Sequence, residues 1–278
     1  MSSVDLELEI NKSDVSVEFE VKKPFEIIKS VFKRGILILL VIAVWEIVPR
    51  LGLVDTTFLP PFSQVIAALW QMIISGDLMV HISASMFRAS IGYLIAIVLG
   101  ITSGLAIGWY KLASDVLSPA VEVLRNTAPM ALFPLFLLFF GIGEESKVAI
   151  VVYACSWPII LNTISGVKNV DPLLIMSARS MGVSNFVLFK KIVIPAAIPT
   201  IFTGLRISAA ASVLVLIAAE MIGAKAGLGY LIIYAQYSFL IPTMYAGIIT
   251  TSVIGVLVNY LLVIIERRFT SWKPKIGN

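Results

Sequence analysis

Charge is what this chain has least of. Only 14% of its 278 residues are Asp, Glu, Lys or Arg, against 59% hydrophobic, whereas soluble domains carry about a quarter charged residues. A chain this short of polar side chains cannot coat a water-soluble globule, so its excess apolar surface must face lipid. Cysteine is nearly absent too. The single Cys155 lies in an apolar run, which excludes an internal disulfide and reports nothing about redox compartment. The sole histidine, His81, has no partner at metal-ligand spacing and reads as an interfacial residue, so no metal site is expected. No His-Glu-x-x-His or nucleophile-elbow pattern occurs, and the chain is not expected to be an enzyme. Gly223, Gly227 and Gly229 form a glycine-rich stretch, but no Gly-Lys-Ser/Thr follows, which excludes a phosphate-cradling loop. That stretch reads as the outer turn before the last span. The net charge of +4 is scattered between apolar runs, so nucleic acid is not an expected partner.

What the chain has in quantity is apolar length. Six stretches approach the roughly 20 residues that a helix needs to cross hydrocarbon: 35–48, 86–108, 116–140, 148–167, 196–223 and 245–265. Lipid tolerates no open sheet edge and no barrel-like alternation is visible, so all six are expected to be helices. The fold class is therefore an all-α membrane protein of about six transmembrane helices. Placing the N-terminus in the cytoplasm leaves Lys22, Lys23, Lys33, Arg34, Lys111, Lys168, Arg179, Lys190, Lys191, Arg267 and Arg268 inside, and only Arg50, Lys147 and Lys225 outside. The asymmetry predicts both termini in the cytoplasm.

The second stretch carries Gly92, Ala96, Gly100, Gly104 and Gly108, four apart and on one helical face, which predicts close packing against another helix. The third contains Pro119, Pro129 and Pro134 and is expected to be kinked or partly unwound. Irregular backbone survives in a membrane only when buried or lining a cavity, which makes this span a candidate pathway wall.

Residues 1–30 are rich in Asp and Glu, with a brief alternation at Val15, Val17, Phe19 and Val21, and read as a solvated cytoplasmic tail; a strand or helix docking on a partner is the alternative. After Leu59-Pro60-Pro61, the spacing of Val65, Ile66, Leu69, Trp70 and Ile73 predicts an amphipathic helix on the outer surface, ending near Gly76. The chain thus divides into a tail 1–30, a first span with an outer segment 31–80, a transmembrane core 81–266 and a tail 267–278.

The longest inside loop, 169–195, is organised. Asp171-Pro172 reads as a helix N-cap with proline at the first position, and Gly182 as its C-terminal cap. Ser184 can cap a second short helix carrying Phe186, Phe189, Ile192 and Val193, which Pro195 ends. Two short helices hinged at a glycine present apolar and basic residues, as a docking knob for a partner groove does; an ordinary packed loop is the alternative.

At these residues the chain resembles a known family. The run Met176-Ser177-Ala178-Arg179-Ser180-Met181-Gly182, followed after nine residues by Ile192-Val193-Ile194-Pro195, is similar to the cytoplasmic EAA signature of ABC importer permeases. Met176 stands where that signature has Glu, and Ser177 where it has Ala. Ala131-Leu132-Phe133-Pro134, Phe140-Gly141-Ile142-Gly143-Glu144, Gly204-Leu205-Arg206, Ala219-Glu220-Met221 and Gly227-Leu228-Gly229-Tyr230 resemble the nitrate/sulfonate/taurine/bicarbonate branch. The resemblance implies a type I importer transmembrane domain with cytoplasmic coupling helices. It also implies two ATPase subunits docked on those helices, a second permease subunit in a homodimer, and an extracytoplasmic substrate-binding protein. The chain itself is then expected to bind no cofactor, Mg-ATP being held by the ATPase, and to be a multi-pass bacterial inner-membrane protein.

Ionisable groups at bilayer depth are costly and invite functional readings. Arg125 with Asn126 and Thr127, beside Pro129, and Arg206 on the fifth span are candidates to attract an anion in the pathway; structural pairing or snorkelling is the alternative. Glu220, near the outer end of that span, reads as part of an outer gate or an interhelical lock. Glu46 in the first span reads as structural. An ion-coupled secondary transporter is the rival function, but such proteins show internal repeats and several buried acids, and neither pattern is found.

Overall fold

The computed structural model describes the backbone of residues 24–269 and the side chains of residues 36–266 and 268. The alternation at Val15–Val21 and the end of the C-terminal tail lie outside the described residues. Every regular element among the described residues is helical. Helix α1 (Pro24–Arg50) contains the first expected span and exposes Leu37 and Leu39 by 64% and 66%, as a lipid-facing helix does. It is tied to helix α2 (Phe62–Ser75) at one end: Trp45 Nε1 donates to the Pro60 carbonyl at 3.1 Å, and Glu46 accepts from the Ser63 N–H and hydroxyl, both at 2.9 Å. Glu46 is thus the structural residue that the sequence indicates. Its carboxylate sits at the N-terminus of α2, where the orphan N–H groups and the helix dipole favour negative charge.

The centre is built from α3 (Asp77–Trp109), α6 (Glu144–Lys168) and α9 (Ile194–Glu220). Helix α3 begins well before the expected Met86, directly after α2, because Leu78, Met79, Val80 and Ile82 carry the apolar pattern outward. The most apolar windows of α6 and α9 are each 44% buried, against 6% for α11 (Ile241–Phe269), so α6 and α9 form the core and α11 its periphery. Helices α3 and α6 run parallel and in fixed register: Gly92 faces Val151, Gly100 faces Ile159, Gly104 faces Thr163 and Gly108 faces Val167. The small-residue stripe is therefore a helix–helix seam. A Cβ on Gly100 would stand 2.8 Å from the Ile159 Cβ, so the backbones must part to admit one. Gly100→Val is expected to destabilise the bundle by about 1–3 kcal/mol, read from denaturation in mixed micelles. A neutral result would show that the two helices are not held at this distance.

The third expected span is two helices, not one. Helix α4 (Lys111–Arg125) and α5 (Pro129–Phe140) meet at 99° across residues 126–128. Proline at the first position of α5 removes a helical donor and drives Ala128 to extended geometry, φ −61° and ψ 125°. Helix α4 buries none of its residues, whereas α5 sends Phe133 into a core with Ile150 and Ala219. Four helices among the described residues are long and apolar enough to cross a membrane, or five if the bent pair is one span; α1 holds the remaining stretch.

Candidate functional site

Two regions on opposite ends of α9 carry the chemistry. At one end lies the 169–195 loop. Asp171 Oδ1 accepts the Leu173 N–H at 2.8 Å and starts α7 (Pro172–Ser180) as the sequence predicts. The helix stops in a Schellman motif: the Gly182 N–H donates to Arg179 O at 2.9 Å and the Val183 N–H to Ala178 O at 3.2 Å. Gly182 supplies the left-handed φ of 71° that this closure requires.

Helix α8 (Asn185–Leu188) follows, with Ser184 at the N-cap position but without the side-chain bond its sequence suggests. Pro195 does not end the second helix. A π-turn over Phe189–Val193 leads straight into α9, the Ile194 N–H bonding to Phe189 O. Pro195 has no N–H to give Lys191, and its ring would crowd that carbonyl in a regular α-helix; the wider turn before it removes the conflict.

The expected coupling residues separate into two groups. Met176, Ser177, Arg179, Gly182 and Phe186 are exposed, with Met181 and Phe186 at 73% and 72%. Ala178 is buried, and Phe189, Ile192 and Pro195 are half-buried. Phe189 packs on Trp109 with ring centroids 4.9 Å apart, in a cluster with Val167, Val193 and Ala197. These inner residues anchor the hairpin to the bundle and leave its outer face unpartnered.

At the other end of α9 lies a buried charge cluster. Glu220 is fully buried. Its carboxylate accepts from Arg88 Nη1 at 2.6 Å, from Ser85 Oγ at 2.7 Å and from the Gly229 N–H at 3.0 Å. Arg88 Nη1 also donates to Ala226 O at 2.7 Å, while Nη2 donates to Glu144 Oε1 at 2.8 Å and Nε to Glu144 Oε2. Ser85 Oγ accepts the Leu228 N–H at 2.8 Å, and His81 Nδ1 accepts the Gly227 N–H at 3.2 Å. His81 is thus hydrogen-bonded, as expected of a satisfied side chain. The cluster joins α3, α6 and α9 to the turn that leads into α10 (Leu228–Tyr237). It dictates glycine there: a Cβ on Gly227 would run into the Glu220 carboxylate, and one on Gly229 into the Ile217 carbonyl. The glycine-rich stretch is therefore a fitted cover over a buried acid.

The other pathway candidates do not converge with Glu220. Arg125 is exposed at the end of α4 and pairs with Glu122 at 2.6 Å; Asn126 and Thr127 bond back to the Glu122 and Val123 carbonyls at 2.7 and 3.2 Å. Arg206 pairs with Glu266 of α11 at 2.9 Å. Glu220 itself bonds across helices, to Ser85 and Arg88 of α3. Sequence reasoning passed over Arg88 and Ser85, took Glu144 only as part of a motif, and placed Lys147 in an outer loop, whereas it is buried within α6. Arg88 was detectable as an arginine inside an apolar span, and α10 from the helical spacing of Leu228, Leu231, Ile232 and Ala235.

Packed apolar helices long enough to cross a membrane define a helical membrane protein. The family of binding-protein-dependent transport system inner membrane components matches residues 96–271, and the chain belongs to it. It is a multi-pass inner-membrane permease of an ABC importer, a non-catalytic subunit that works with an ATPase and a binding protein. The taurine transport system permease protein TauC of Escherichia coli is 33% identical over 240 residues, covering 84% of this chain and 87% of TauC. The nitrate import permease protein NrtB of Leptolyngbya laminosa is 35% identical over 214 residues, covering 74% of this chain and 77% of NrtB. Among solved structures, the inward-facing MetNI methionine ABC transporter aligns with a TM-score of 0.62 at 17% identity, over 69% of this chain and 96% of that one, a likeness of fold alone.

Proposed function

We propose that this chain forms, as a pair of identical subunits, the pathway for a small oxyanion of the sulfonate or nitrate type. Both termini face the cytoplasm, and two ATPase subunits that hydrolyse Mg-ATP dock on α7 and α8. The similarity to a taurine permease, TauC, and a nitrate permease, NrtB, supports the substrate class. The observation that carries the coupling is the hairpin itself, apolar and exposed outside at Met176, Met181 and Phe186 and anchored inside by Phe189 and Val193. From Asn185 to Glu220 the chain is one 36-residue helical rod. Displacement of the hairpin by closing ATPases is delivered along that rod to the cluster around Glu220, without an intervening loop to absorb it.

The test is uptake into proteoliposomes that hold the permease, its ATPase and, outside, its binding protein. Labelled taurine or nitrate is expected to accumulate only with internal ATP, and not with a hydrolysis-deficient ATPase. Uptake driven by a proton or sodium gradient without ATP would sink this reading.

A further inference from the structure

We propose that Arg88 is an oxyanion-binding residue and that Glu144 is the carboxylate which an incoming organic oxyanion displaces from it; this rests on the oxyanion-importer reading above. The two edges of the Arg88 guanidinium are held very differently. On one, Nη1 is fixed by Glu220 and the Ala226 carbonyl. Glu220 is wholly buried and has no solvent to retreat to. On the other edge, Nε and Nη2 grip Glu144 through both its oxygens, and the Glu144 side chain is 62% exposed. Water can therefore replace what Glu144 loses on leaving. A guanidinium edge that binds two coplanar oxygens accepts a sulfonate or carboxylate headgroup in the same geometry.

Lys147 adds an independent pull. It is 1% exposed, yet its Nζ makes one hydrogen bond, to Gly143 O at 2.8 Å, and no ion pair among the described residues. It feels Arg88, Glu144 and Glu220 electrostatically. Among the buried groups Arg88 and Lys147 exceed Glu220 by one positive charge, and the exposed Glu144 and Glu145 offset it from the solvent side, Glu144 through its direct bonds to Arg88. Once Glu144 swings out, one positive charge is left uncompensated among buried groups, and an anion is drawn in.

The space next to this edge fits a ligand with a carbon tail. A groove of 760 Å³ between α3, α5 and α6 opens beside Arg88, Glu144 and Glu145; Tyr153, Ser156 and Trp157 add polar atoms to its lining, and the rest of its wall, with Ile91, Phe140 and Val148, is apolar. An alkanesulfonate places its headgroup on Arg88 and its chain on these residues, which favours organic over inorganic oxyanions here. An acidic lipid headgroup has the same chemistry, and the experiment must separate the two.

The permease is placed in zwitterionic nanodiscs at fixed chloride, and butanesulfonate binding is measured by calorimetry, with butylammonium as control. Glu144→Gln is expected to bind butanesulfonate about ten-fold tighter than wild type, because an internal competitor that occupies Arg88 lowers the apparent affinity by the fraction of time Arg88 is free. The gain should vanish in Glu144→Gln/Arg88→Gln/Glu220→Gln, where the double neutralisation avoids leaving a lone buried acid. Unchanged affinity in a folded Glu144→Gln overturns the proposal. So does a gain that phosphatidylglycerol in the nanodisc abolishes, which would assign the groove to lipid. Oxyanion uptake by the whole complex is scored separately: uptake without the Glu144→Gln gain retains the importer and removes this site. Uptake restricted to neutral or cationic solutes removes the substrate reading even where Arg88 binds the probe.

Discussion

Arg88→Gln is expected to lower the stability of the folded permease by about 3–5 kcal/mol, the cost of stranding one partner of a buried ion pair. The stranded group is Glu220, which is 0% exposed and keeps only Ser85 and the Gly229 N–H once the guanidinium has gone. Glu220→Gln should cost a similar amount, since it removes the buried countercharge of Arg88 and leaves one amide oxygen where two carboxylate oxygens served Arg88 Nη1 and the Gly229 N–H. The double variant removes both charges together and should therefore be far less damaging than the two single losses added. Coupling of that size is the signature of residues in direct contact. Glu144→Gln, by contrast, breaks a pair in which one partner is mostly solvated and should change stability by about 0–1 kcal/mol. Unfolding in mixed micelles for the four variants measures the cycle. Additive losses in the double variant would contradict a lock closed between these two residues.

Much of the bundle was legible because hydropathy and small-residue spacing are local properties. The stripe from Gly92 to Gly108 states a seam, and α3 and α6 make it. Asp171 and Gly182 specify both ends of α7 through bonds that span two to five positions, so the sequence suffices to place them. Pro129 announces a break, but its 99° size depends on what α5 packs against, namely Ile150 and Ala219 far along the chain. Pro195 looks like a helix end by the same local rule, and the π-turn reverses that reading by rerouting the hydrogen bond of one residue. Burial decided the coupling loop: Phe186 and Phe189 look alike in sequence, yet only one is covered by Trp109. The lock was least legible of all. Arg88 and Glu220 stand 132 residues apart, and the partner of each is visible only once α3 and α9 are laid together.

The distinction between Phe186 and Phe189 gives the second large effect. Phe186→Asp combined with Met181→Asp is expected to abolish co-purification of the ATPase with the permease. Both side chains are more than 70% exposed and touch no core cluster, so the change should leave permease stability within about 0.5 kcal/mol. Apolar anchors at the centre of an interface typically contribute 2 kcal/mol or more each, and a carboxylate placed there adds an unpaired buried charge, so affinity should fall by at least about 30-fold. Phe189→Asp is the contrasting control. It drives a charge into the cluster formed with Trp109, Val167 and Val193, and its expected signature is loss of the folded permease itself. Melting curves beside the pull-down separate these outcomes. A stable Phe186→Asp/Met181→Asp permease that still retains its ATPase would mean that the ATPase grips another surface. The rod from Asn185 to Glu220 would then have no input at its Asn185 end.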